Sequence, residues 1–178
     1  MRLVEGVLSL RYDDSHELIR QAFLDSTRPG FRVVKYSVQS NHLHLVVEAQ
    51  DEEELSSGMI GLSTRLARRL NKLWRRRGKL FADRYHSRIL RTPSEVRTAL
   101  VYVLQNARKH GAWIARCADV YSSGGEFDGW REKGAVSGRR LELARTWLLS
   151  TGWRGLGLIG LLELPRGAAR QSPARATA

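Results

Sequence analysis

The sequence is poor in cysteine, in acidic residues and in long apolar runs, and each shortage excludes something. Cys117 is the one cysteine among 178 residues, so no internal disulfide can form, which fits a reducing cytoplasm. No apolar run approaches the roughly 20 residues that a membrane helix needs, and the N-terminus has no basic-then-apolar signal pattern. Eighteen Asp and Glu stand against 30 Lys and Arg, giving a net charge of +12 and a pI of about 10.8. The expectation is a soluble cytoplasmic protein whose partner is a polyanion, nucleic acid before an anionic membrane. The length suits one domain with an appendage. No internal repeat is visible.

Hydrophobic periodicity predicts a helix over Ser15–Leu24, capped by Asp14 or Ser15. The stretch "FRVVKYSVQ" (31–39) reads as a strand, Ser40-Asn41 as a tight turn, and "HLHLVVEA" (42–49) as its antiparallel partner. A long amphipathic helix follows over 51–77, acidic in its first turn, Arg-rich in its last and ended by Gly78. "SRILR" (87–91) is the next strand candidate. Thr92 and Pro93 then open a helix that runs to Gly111. Beyond it, "SSGGEFDG" reads as a loop, 139–153 as a helix, "RGLGLIGLLELP" as a Gly-interrupted apolar segment, and 166–178 as a disordered tail. The order helix, strand, strand, helix, strand, helix fits an α+β, ferredoxin-like antiparallel sheet of βαββαβ type with helices on one face. Its first strand is missing or truncated, because only "MRLVEGV" stands in its place. The division expected is a catalytic domain over 1–115, an extension over 116–165 that packs on it, and the tail.

Strand side chains alternate between faces. Leu43, Leu45, Val47 and Ala49 therefore share the face expected under the helices, and His42, His44, Val46 and Glu48 share the other, more open one. Two imidazoles at i and i+2 can meet at one metal ion or stand as ordinary surface histidines. Two nitrogens do not close a site, so a metal would need a third ligand from elsewhere. On the 94–111 helix, Thr98, Tyr102, Asn106 and Lys109 form a polar seam off the apolar stripe. Tyr102 there is either an amphipathic edge residue or a nucleophile with a metal-ligating amide one turn away.

Taken together, "NHLHLVVEA", the basic helix, "GKLFADRYHSRIL" and "YVLQNARKHG" resemble the single-tyrosine transposases of the IS200 type, especially the bacterial REP-associated kind, within the HUH endonucleases. The likeness spans about 31–111, with Tyr102 and Asn106 in register with the family's Tyr and Asn, and Ala107 where proline is common. The resemblance implies Mg²⁺ or Mn²⁺ held by His42, His44 and Asn106, with Gln105 as fallback, and Tyr102 as the nucleophile that forms a 5′-phosphotyrosine link. It implies single-stranded or hairpin DNA as substrate and a cytoplasmic, nucleoid-associated place of action. Monomer and homodimer are both open. Loss of the first strand would leave unpaired backbone on the histidine strand and put stability and activity in question.

The cations Arg65, Arg68, Arg69, Lys72, Arg75, Arg76, Arg77, Lys79, Arg84 and Lys109 form either a solvated surface or, with a phosphodiester reaction in view, a track for DNA. Trp113, Trp130, Trp147 and Trp153 are candidates for stacking on bases, with packing the expected role for most. Tyr85 and His86 are expected to be structural or DNA-contacting. Two rival functions remain: a non-catalytic single-strand binder with the same fold, and a metal-dependent hydrolase without covalent tyrosine chemistry.

Overall fold

In the computed structural model the described residues are 1–109, 111, 117–132 and 141–165. Helix α1 is Asp13–Leu24, strands β1 and β2 are Phe31–Val38 and Leu43–Ala49, and helix α2 is Glu52–Leu73. Helix α3 is Pro93–Leu104, followed by the short turns α4, Asn106–Lys109, and α5, Trp147–Ser150. Two 3₁₀ turns cover Ser123–Glu126 and Gly152–Leu156.

β1 and β2 pair antiparallel from Phe31↔Ala49 to Val38↔Leu43, with a bulge between Val33 and Lys35. The bulge decides which side chains are buried together. An unbroken strand would put Phe31 and Val33 on one face and Tyr36 and Val38 on the other. The extra residue shifts the alternation, so all four join one core with Leu43, α1 and the Met59–Leu62–Leu66–Leu70 stripe of α2. Gly58 of α2 lies flat against Phe31, where a Cβ would stand 2.3 Å from the ring.

Val34 and Val46 point the other way, into a second core with Val96, Leu100, Val103 and Leu104 of α3 and with Phe127, Trp130 and Trp153. The sheet is thus covered on both faces, not on one. Apolar Val34 and Val46 require cover as much as the Leu43 face does, and α3 provides it. Gly129 makes room in this core, its Cβ position 2.4 Å from both Phe127 and Trp153.

Other sequence expectations also shift. α1 begins two residues early, and Ser15 is buried, accepting a hydrogen bond from the Trp74 indole. α2 stops at Leu73 rather than near Gly78. Arg75 takes φ 51°, its amide bonds Lys72 and the Arg76 amide bonds Asn71. This is a Schellman stop with arginine where glycine is usual. The Asn71 side chain secures it, accepting from Arg76 and donating to the Gly78 carbonyl. "SRILR" forms no strand; Leu90 packs into the second core while Ile89 stays exposed. A strand needs a partner, and none of the described residues pairs with it as a strand. α3 has the expected start, a capping box of Thr92 and Glu95 around Pro93, but the helix breaks at Gln105. The helix expected over 139–153 is, within the described residues, only the turn α5. Glu48 sets its start, accepting from the amides of Arg145 and Thr146 and from the Thr146 hydroxyl. The expected tail lies outside the described residues.

At the N-terminus, Leu3 donates to the Asn41 carbonyl and Leu43 to that of Met1, while Val4 donates to Leu80 and Ala82 to Arg2. Met1–Val4 therefore lie between the start of β2 and residues 80–82. The Met1 ammonium donates to the Leu43 carbonyl, and burial lowers its pKa. Beyond that point Leu45 and Val47 turn their amides and carbonyls outward, and no backbone group among the described residues bonds them.

Candidate active site

β2 carries His42 and His44 onto the face that α3 covers. Their Nε2 atoms stand 3.0 Å apart and their rings are edge-on at 4.7 Å. Nδ1 of His42 lies 2.8 Å from the Oδ1 of Asn41. With that carboxamide oxygen accepting, the Nδ1 proton is held and Nε2 keeps its lone pair for the neighbouring group. Asn41 is a contributor that the sequence reading used only as a turn residue.

α3 brings Tyr102 to the same place. Its ring meets that of His44 edge-on at 5.1 Å between centroids. The Lys109 ammonium sits 5.2 Å from the centroid of the Tyr102 ring. Three of the sequence-predicted residues, His42, His44 and Tyr102, are thereby in one cluster with Lys109 beside it.

Asn106 begins α4 directly after the break in α3. It is fully buried, and neither its Oδ1 nor its Nδ2 has a hydrogen-bond partner. An unpaired buried amide costs about 1–3 kcal/mol, and no described residue offsets that cost for Asn106. Gln105 is not equivalent. Its amide donates to the carbonyls of Gly160 and Leu161 and its oxygen accepts from Arg108, so it ties α3 to the C-terminal segment.

Two imidazole nitrogens are donors that a divalent ion can use. Two ligands in adjacent positions of an octahedron, each about 2.1 Å from the ion, stand about 3.0 Å apart, which is the separation of the two imidazole nitrogens. Among the described residues no three His, Cys, Asp or Glu gather at one point. An amide oxygen such as that of Asn106, together with substrate or water oxygens, would complete the set.

The predicted cations divide into groups. α2 packs on the Leu43 face, so its basic side lies across the sheet from Tyr102. Arg65 there donates to Ser26, Arg69 pairs with Asp25, and Arg76 is bound to Asn71 and the Lys79 carbonyl. Arg68, Lys72, Arg75, Arg77 and Lys79 are exposed. The chain then crosses from the α2 face to the α3 face past the outer edge of β2, with exposed Arg84 on the way, its guanidinium over Tyr85 and donating to Ser56. His86 is exposed as well. Trp130 and Trp153 are packing residues whose indoles donate to the carbonyls of Gly124 and Leu149. Trp147 is 64% exposed, and Trp113 lies outside the described residues.

A family model described as "Transposase IS200 like" matches residues 11–106. Neither the curated proteins nor the solved structures give a match. None of the helices formed by the described residues is long and apolar enough to cross a membrane. Because the matched span exceeds half of the 178 residues and contains His42, His44, Tyr102 and Asn106, the chain belongs to the IS200-like transposase family, whose members act on DNA.

Proposed function

We propose that the chain cuts and rejoins single-stranded DNA near hairpins of REP type, with Tyr102 as nucleophile and His42, His44 and Asn106 as ligands for Mg²⁺ or Mn²⁺. The observation that carries this is the packing of the Tyr102 ring on His44, whose Nε2 is 3.0 Å from that of His42. The ion, when bound, supplies Lewis-acid polarisation of a phosphate oxygen. The protein's own residues do the rest. The Tyr102 oxygen forms a bond to phosphorus as the bond to the 3′-oxygen breaks. The phenolic proton leaves, and the departing 3′-oxygen takes up a proton. The product keeps the bond energy in a 5′-phosphotyrosine, so a 3′-hydroxyl can reverse the step. Lys109, over the Tyr102 ring, supplies positive charge beside the phenolate.

The same reading takes the sheet as ferredoxin-like. The order β1, β2, Met1–Val4, 80–82 supports it, with Met1–Val4 standing where the first strand runs and 80–82 where the last one does. It takes 1–115 as the catalytic domain and 116–165 as an extension packed on it, and places DNA along Arg68, Lys72, Arg75, Arg77, Lys79 and Arg84. The test is cleavage of a hairpin-bearing oligonucleotide in Mn²⁺. Tyr102→Phe and His42→Ala should each lower cleavage at least about 10³-fold while binding is retained. Cleavage that persists in Tyr102→Phe and falls in His42→Ala would indicate a hydrolase. Binding without cleavage by the unaltered chain would indicate a single-strand binder.

A further inference from the structure

α3 carries Ser94, Thr98, Tyr102 and, past its break, Asn106 at intervals of four residues. Thr98 therefore lies one turn before Tyr102 on α3, and Ser94 one turn before that. Beside Ser94 and Thr98 is a cavity of about 280 Å³ between α3 and the C-terminal segment. Ser94, Thr98 and Val101 form one wall, Leu156 the other, and Arg97 and Glu163 close its end. The volume is at the small end of the range of about 300–1,000 Å³ for ligand pockets, suited to one flat ring system.

The lining is fixed by bonds on both sides. Arg97 donates to both carboxylate oxygens of Glu163 and to the carbonyls of Gly157 and Leu158. Gln105 holds the next stretch through Gly160 and Leu161. The Ser94 and Thr98 hydroxyls, by contrast, are exposed and bond nothing among the described residues. Leu156 is 54% exposed on the far wall. Val101 on one side and Leu156 on the other, with hydroxyls between them and an acceptor at the end, match the faces and the polar edge of a nucleobase. The Glu163 carboxyl, lowered in pKa chiefly by its hydrogen bond from Arg97, is an acceptor at neutral pH.

We propose that this cavity receives the base of the nucleotide adjoining the phosphate attacked by Tyr102, and prefers bases with an exocyclic amino group over thymine. Thr98 is one helical turn from Tyr102, about 6 Å along the axis, which is a suitable offset between a phosphate and a neighbouring base. The carboxylate accepts from an exocyclic amine, as acidic side chains do from cytosine. Thymine has no such amine. The proposal rests on the tyrosine-nucleophile reading above.

The test is the rate of covalent adduct formation in Mn²⁺ on hairpin oligonucleotides in which the nucleotide on each side of the cleaved bond is made abasic in turn, and then thymine. One side should show a loss of at least 10-fold when abasic and a smaller loss with thymine. Leu156→Ala should remove the abasic effect while the abasic substrate itself reacts at the unaltered rate. Thr98→Val should lower the rate on amino-bearing bases towards that on thymine. Both side chains are exposed, so both variants should fold. Adduct formation that ignores the base on both sides, or an abasic effect of equal size in Leu156→Ala, overturns this proposal and leaves the nucleophile reading standing. No adduct on any oligonucleotide overturns both.

Discussion

Along the outer edge of β1, Val38 donates to the Tyr121 carbonyl, Tyr36 donates to the Ser123 hydroxyl, and that hydroxyl donates back to the Tyr36 carbonyl. Along the outer edge of β2, pairing among the described residues stops at Leu43. Behind the closed edge is a buried polar network. Arg20 pairs with Glu126 and bonds Tyr36, Tyr36 bonds His16, and Arg11 clamps both oxygens of Asp119. Beside the open edge are the His42–His44 pair and the basic crossing segment. Segments distant in sequence are tied down on one edge, and the candidate site lies at the other, where fewer bonds among the described residues hold the backbone. That is the usual distribution of stability between scaffold and site.

The largest effect should come from breaking the closed edge. Glu126 is 6% exposed, and replacing it by alanine removes the buried one of the carboxylates paired with Arg20 and the acceptor for the Leu141 amide. Glu126→Ala should cost about 3–5 kcal/mol, the range for removing one member of a buried pair, read as a lower urea midpoint. Ser123→Ala, which leaves the Tyr36 amide unpaired, should cost about 1–3 kcal/mol.

The open edge can be tested from the other direction. A five-residue segment of alternating Val and Thr fused ahead of Met1 should pair with Leu45 and Val47 and raise stability by about 1 kcal/mol per hydrogen bond formed. An unchanged melting temperature would mean that this edge does not accept a strand.

A smaller effect is expected from pH. Burial, then the neighbouring Arg20, lower the pKa of His16 from 6.5 to about 4. The unfolded chain then binds a proton between those values that the folded chain refuses, so stability rises with pH across that window. His16's contribution is present above about pH 6.5 and is lost as pH falls through about 4. His16→Gln should flatten the melting temperature between pH 4 and 6.5, leaving behaviour above pH 7 alone.

The smallest effect concerns Arg75. Its left-handed φ costs an arginine about 1 kcal/mol that glycine avoids. Arg75→Gly should stabilise the fold by up to that amount and weaken DNA binding, with a shallower salt dependence. A gain in stability without loss of affinity would remove Arg75 from the DNA track.

The features that were legible in the sequence are those fixed by neighbours. Thr92, Pro93 and Glu95 announce the start of α3 because a capping box is a local bond pattern. Alternation put His42 and His44 on one face for the same reason. What was not legible depends on distant partners. The bulge at Val33–Lys35 is chosen by which apolar residues must share a core. "SRILR" has the composition of a strand but no strand beside it. The stop at Arg75 needs the Asn71 side chain, and the short α5 is set by Glu48 on β2. The burial of Asn106 without a hydrogen-bond partner among the described residues depends likewise on tertiary packing.

The central claim is that Tyr102 and the His42–His44 pair act as one site on a phosphodiester. Its most direct test is peptide mapping by mass spectrometry of the chain after incubation with a hairpin-bearing single strand and Mn²⁺. The account predicts a nucleotide mass attached through a 5′-phosphate to the peptide containing Tyr102, absent in His44→Ala. Cleaved DNA with no modified peptide, or a modification on a different residue, would contradict it.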